Sequence, residues 1–205
     1  MGTEDRPDEQ KRQTLRQFAA VGAVGPFAAV QKSRAIDATS DRPLELLEYV
    51  ASYPGVHFSK IRDDLGLGTG ETQYHLRRLE SSDHIESIDD GEYRRLFLSH
   101  QFSRVEHGIL SMLRRPTHAA ILIAGLAEEP VGARTIAELR GVSSPAVSRA
   151  ARDLEMAGLL DRTGGQYTVL EQAEIESVLS RFGESLDEET IRIANQVLVE
   201  ADLGT

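Results

Sequence analysis

The sequence repeats itself at an offset of 75 residues, without a gap. Ile61 aligns with Ile136, Gly66 with Gly141, Leu67 with Val142, Thr72 with Val147 and Leu76 with Ala151. Arg77 aligns with Arg152, Leu79-Glu80 with Leu154-Glu155, and Ile85 with Leu160. Agreement in residue type at so many spaced positions implies two copies of one structural unit. Any fold assigned to one copy must therefore serve the other.

Each copy has the same local pattern. A short helix is predicted over 58–65 and again over 133–140. Gly66 and Gly141 follow, and glycine suits the left-handed residue that joins two helices at a steep angle. A longer helix then covers 70–82 and 144–157, with Thr69 and Ser143 or Ser144 placed to cap it. Two strand-like runs around a turn come next. They are 85–88 and 93–98 about Asp89-Asp90-Gly91, and 159–162 and 166–170 about Thr163-Gly164-Gly165. Turns of the Asp-Gly or Gly-Gly kind between alternating apolar runs signal hairpins. Helix, helix, turn, helix and hairpin make a winged helix. Upstream, Asp41-Arg42-Pro43 opens a helix in which Leu44, Leu47 and Val50 recur at helical spacing, and Pro54-Gly55 ends it. The expected fold is mainly α with small β-wings. It comprises an N-terminal tail (1–42), a first winged helix-turn-helix domain (43–100), a connector helix (101–115), a second such domain (116–170) and C-terminal helices (171–205).

The segment Gly68-Thr-Gly-Glu-Thr-Gln-Tyr-His-Leu-Arg-Arg-Leu-Glu80 resembles the recognition-helix region of archaeal winged-helix regulators of the broad MarR/ArsR type. Val142-Ser-Ser-Pro-Ala-Val-Ser-Arg-Ala-Ala-Arg-Asp-Leu-Glu-Met-Ala-Gly-Leu-Leu160 is similar to the same region of MarR-type proteins. The resemblance covers about residues 43–170 and implies transcription regulation through double-stranded DNA. Such a helix buries one side and turns the other to the major groove. Thr72, Leu76 and Leu79, and Val147, Ala151 and Leu154, fall on the inward side. The groove side is then Gln73, Tyr74, Arg77 and Arg78 in the first copy, with Thr69 at its start. In the second copy it is Ser144, Ser148, Arg149 and Arg152. The wings add Arg94, Arg95 and Arg162. One departure is Asp83, where the family has glycine, as at Gly158. Aspartate tolerates the left-handed conformation less well, so the first wing is expected to sit differently.

Net charge argues the other way. The chain carries −10 at pH 7, whereas nucleic-acid binders tend to be basic. Only Lys11, Lys32 and Lys60 are lysine among 23 basic residues, and cysteine is absent. Abundant acid with scarce lysine resembles the proteins of salt-loving archaea. At molar salt the Debye length falls to about 3 Å, so local charge on a reading surface counts for more than the total. The lack of cysteine excludes disulfides and thiolate metal sites. The six histidines (57, 75, 84, 100, 107, 118) show no metal-ligand spacing. No nucleophile–base motif is present, and Gly66-Leu-Gly68-Thr-Gly70 lacks the lysine of a phosphate loop. The expectation is a non-enzymatic, cytoplasmic protein without a cofactor. The sequence identifies no small-molecule effector.

Residues 1–14 are charged and expected to be disordered. The apolar run 18–30 is 13 residues long, too short for a helix to span a bilayer. It reads as a packing segment, with membrane attachment or export as the competing readings. Ser103-Arg-Val-Glu106 fits a capping box that opens the connector helix, whose stripe is Val105, Ile109, Met112 and Leu113. The last helix carries Leu186, Ile191, Ala194, Val197, Leu198 and Ala201 on one face. That face suits a homodimer or packing against its own body. The function expected is a sequence-specific regulator; the alternatives are a protein-interaction or chromatin-associated factor, and a membrane-associated regulator.

Overall fold

The computed structural model describes residues 42–127 and 130–203. The N-terminal tail, with its apolar run, lies outside the described residues. The fold is mainly helical with two small antiparallel sheets, consistent with winged helix-turn-helix architecture. The chain divides into two compact units between Ser111 and Met112.

The first unit begins with α1 (Arg42–Ser52), followed by β1 (Val56–His57), α2 (Phe58–Leu65) and α3 (Thr69–Ser81). Then come β2 (Ile85–Asp89), β3 (Arg94–Leu98) and α4 (Arg104–Leu113), whose last two residues belong to the second unit. The inward side of α1 is Leu46, Tyr49 and Val50; Leu44, expected inside, is 53% exposed. With Val56, Ile61, Leu67, Leu76, Leu79, Ile85 and Leu96 these residues form one core. Gly66 takes φ 62, as the turn between α2 and α3 requires. Asp83 is also left-handed at φ 59, matching Gly158 at φ 74. The expected difference at this joint is therefore one of residue type, not of backbone. The capping box at α4 is present: the Ser103 amide donates to Glu106 Oε2 (2.8 Å) and the Glu106 amide to Ser103 Oγ (3.2 Å). On α4, Ile109 and Leu113 are buried, while Val105 is 42% exposed and leaves the expected stripe.

The second unit contains α5 (Pro116–Ala127), β4 (Val131–Gly132), α6 (Ala133–Arg140), α7 (Ser144–Met156), β5 (Leu160–Thr163) and β6 (Gln166–Val169). After them come α8 (Gln172–Phe182), a short 3₁₀ turn (Gly183–Ser185) and α9 (Glu188–Leu203). Every residue of α5 from His118 to Ala127 is buried, as befits a helix packed on all sides. It contacts α6, α7, α9 and β6. The inward residues of α9 are Ile193, Ala194 and Val197, so the face considered for dimerisation packs on the chain's own α5. The side chains of Leu198 and Ala201 lie outside the described residues. Arg114 donates to the carbonyl and hydroxyl of Ser185, and Arg140 pairs with Glu189, which tie the C-terminal segment to this unit.

The elements α2 and α6, and α3 and α7, coincide end to end at the 75-residue offset. Both sheets place the third strand in the middle, in the orders β1-β3-β2 and β4-β6-β5. The two-residue strands β1 and β4 were not foreseen, because two residues carry no periodicity. The hairpins differ in length. Ile85 pairs with Leu98 in the first, and Leu160 with Val169 in the second, so the first wing is four residues longer.

Candidate nucleic-acid interface

Helix α3 stands on its buried residues Thr72, Leu76 and Leu79. The Thr72 hydroxyl donates to the Gly68 carbonyl (2.9 Å), which satisfies the one polar group of that side. The opposite side carries Gln73, Tyr74, Arg77 and Arg78, all exposed as the spacing predicts. With Gly70 and Ser81 they line a shallow groove of about 340 Å³ along the helix. Gly70 and Ser81 were missed, although steps of three and four from Gln73, Tyr74 and Arg77 reach them. Tyr74 is 60% exposed and meets His75 edge-on (5.1 Å between ring centroids), not the wing. His75 is half-buried.

Helix α7 repeats this plan. Val147, Ala150, Ala151 and Leu154 face inward. Ser144, Arg149 and Arg152 are exposed, and Ser148 is half-buried. Neither helix has a side-chain cap. Gly68 and Ser143 occupy the cap positions without a side-chain hydrogen bond, and Thr69 is the first helical residue, exposed. The first-turn amides of both helices therefore lack the usual side-chain acceptor and keep the positive end of the helix dipole open. The first turn of α3 holds Glu71, which sits 3.5 Å from Arg42. That of α7 holds no acid.

In each unit the glutamate in the last turn of the helix pairs with a hairpin arginine, from the middle strand in the first unit and from an edge strand in the second. Glu80 in the last turn of α3 binds Arg94 of β3 (2.5 Å), and Arg94 also donates to Ser87 Oγ (2.6 Å). Glu155 in the last turn of α7 binds Arg162 of β5 (3.2 Å). The carboxylates that could have neutralised Arg77 and Arg152 are thus taken by arginines of the hairpins. Among the described residues Arg77, Arg78, Arg149 and Arg152 have no ion-pair partner.

Arg95 corrects the sequence reading. Expected at the wing tip, it is 2% exposed. Its Nε donates to Asp90 Oδ2 (2.6 Å), and its Nη1 lies 3.4 Å from the Gly55 carbonyl. The alternation of β3 places Arg94 on the side of Leu96 and Leu98, where Glu80 of α3 takes it, and Arg95 on the opposite side with Phe97, where Asp90 and the Gly55 carbonyl enclose it. Asp90 Oδ1 accepts the amides of Glu92 and Tyr93 (2.9 and 2.7 Å). Burial pushes the Asp90 carboxyl up, but these bonds and Arg95 outweigh it and hold it below the usual carboxylate range. Tyr93 lies against Arg95 and stacks on His57 (4.7 Å). Burial, then the Arg95 charge, push the His57 imidazole down. Arg94 and Arg162 are at the surface, but each is held by its glutamate.

Among the described residues no cluster of three or more histidine, aspartate or glutamate side chains is arranged to hold a metal. No helix among them is long and apolar enough to cross a membrane.

Residues 40–110 match the family model HTH_HVO_0163_N, described as an N-terminal HTH domain. The match covers α1 through most of α4, and so contains α3 and the first wing. No curated protein matches the chain.

Proposed function

We propose that the protein is a sequence-specific, DNA-binding transcription regulator built from two winged helix-turn-helix domains in tandem, the products of one duplication. The single observation that carries this reading is the pair of arginine-bearing helix faces left unneutralised in both units. An exposed, unpaired arginine on a reading helix is the group that bonds guanine bidentately, and glutamine does the same for adenine. Gln73, Arg77 and Arg78 supply both chemistries on α3, and Arg149 and Arg152 supply the arginines on α7. Thr69, Ser144 and Ser148, with the open first-turn amides, suit phosphate oxygens. Tyr74 offers an apolar face to a thymine methyl.

The helix-turn-helix family match supports a DNA partner. The MarR/ArsR likeness of both segments extends the reading to the second unit. The protein acts in the cytoplasm of a salt-adapted archaeon, without catalysis or cofactor. A homodimer is the usual form for reading symmetric sites. Here it needs a surface other than the inward face of α9.

Arg77→Ala and Arg152→Ala are each expected to weaken binding to a specific duplex by about 1–3 kcal/mol. The assay is a gel shift on the promoter of the protein's own gene, in molar KCl. A loss of the same size on unrelated duplexes supports the chromatin-associated alternative. Undiminished binding in both variants ends the DNA reading.

A further inference from the structure

The outward faces of α3 and α7 are built on one frame but carry different side chains. The two helices coincide at the 75-residue offset, and so do their buried triplets, Thr72, Leu76 and Leu79 against Val147, Ala151 and Leu154. Each outward position of one helix therefore has one counterpart on the other. Of the six residues that line the groove of α3, only Arg77 meets the same residue at its counterpart, Arg152.

The neighbours of that shared arginine differ in reach and in charge. Gln73 is exposed, whereas its counterpart Ser148 is half-buried. A single hydroxyl there replaces an amide that holds a donor and an acceptor side by side. Tyr74 gives way to Arg149, and Arg78 gives way to Asp153. Asp153 Oδ2 lies 3.0 Å from His118 Nε2 and 3.4 Å from Arg115. His118 is only 6% exposed, so this acid is drawn onto the body of its own unit, while Arg78 stands out in solvent.

Gln73 and Arg77 are four residues apart, which is about 6 Å along the helix axis. That distance equals about two base steps of 3.4 Å. An amide pairs with adenine and a guanidinium with guanine. On α7 the guanidinium of Arg152 has the same place but no amide one turn before it. We infer that α3 and α7 read different DNA elements that share one base. The first element holds an A·T pair within about two base pairs of a G·C pair. The second keeps the G·C pair and has no preferred A·T pair at that distance. Gln73 against Ser148 is the difference that sets the two apart. The inference rests on the DNA-binding reading above and states what each helix selects.

The full-length chain and its variants each select duplexes from a randomised pool in molar KCl, and sequencing reads the base preference at every position. The parent is expected to yield two unlike elements with a guanine in common. Arg77→Ala and Arg152→Ala should each flatten the preference at one guanine, and at different ones. Gln73→Ser, which gives α3 the side chain of its counterpart, should lower the adenine preference about fivefold or more. The same variant should leave the second element unchanged, which also shows that it is folded. Two elements of identical sequence overturn the inference, as does a Gln73→Ser variant that keeps the adenine. A single element altered only by the α3 variants overturns it too, since α7 then selects nothing. A parent chain that yields no preferred duplex overturns the DNA-binding reading itself, a result distinct from the others because no consensus then exists.

Discussion

Asp90 does more for the first unit than any other single acid in the hairpin. One of its oxygens holds the turn amides of Glu92 and Tyr93, and the other neutralises a buried guanidinium. Removing one partner of such a pair strands the other charge away from water, at a cost of about 3–5 kcal/mol. Asp90→Ala is expected to lower the stability of the first unit by about that amount in urea unfolding. Because the Asp90 carboxyl sits below its ordinary range when folded, its contribution is complete above the unfolded value of about 4 and drains away as pH falls through the folded one. Two histidines offer a spectroscopic check of the local electrostatics. The Asp83 carboxylate, 2.9 Å away, raises His100, while burial and Arg95 lower His57. In an NMR titration their midpoints are expected on opposite sides of about 6.5, and Asp83→Asn should return His100 towards that value. None of this was legible in the sequence. Arg94 and Arg95 adjoin and so lie on opposite sides of the hairpin, and Arg95 is buried because Asp90, Tyr93 and the Gly55 carbonyl enclose it on the side away from Leu96 and Leu98. The sequence named both as surface contacts; the register sets Arg94 with Leu96 and Leu98 and Arg95 with Ile88 and Phe97, and the side-chain partners found on each side lie beyond what the sequence pattern carries.

At the scale of elements, the helix boundaries and the inward residues of α3 and α7 were readable because apolar spacing, glycine turns and the repeat all agreed. Leu44 was misjudged because α1 begins with a run in which Leu44, Leu46 and Leu47 compete for the inward side, and spacing alone does not rank them. The strands β1 and β4 were invisible, yet they complete each sheet by pairing Val56 with Leu96 and Val131 with Tyr167. The close approach of α5 to β6 was equally hidden. A Cβ added to Gly125 would stand 2.3 Å from Val169 Cγ2, in a buried and β-branched side chain with little freedom to move. Gly125→Ala is therefore expected to destabilise the second unit by about 1–3 kcal/mol, measured by urea unfolding. Adding Val169→Ala should recover part of the loss, because it removes the methyl that the new Cβ meets. If the glycine variant proves as stable as the parent, the helix and sheet are not packed this tightly.

For the whole molecule, a charge of −10 on 205 residues means that much of the surface repels itself. Raising KCl from about 0.1 M to 1 M shortens the screening length from about 10 to 3 Å. The urea midpoint is expected to rise with that change, and a falling midpoint would remove the argument for a salt-adapted surface. The total charge predicted poorly what the exposed faces of α3 and α7 carry, since charge is a sum and a surface is a place. One feature of the paired hairpins also bears on how such a chain can change over time. Of the four extra residues of the first hairpin, one falls on each arm and two in the turn, all at the loop end. Counted from the base of the hairpin, alternation therefore keeps its phase, and Leu96 and Leu98 occupy the positions of Tyr167 and Val169. An arm can grow or shrink at its loop end without any core side chain being turned out into water. The loop ends are thus the parts of the two hairpins that mutation could reshape most cheaply.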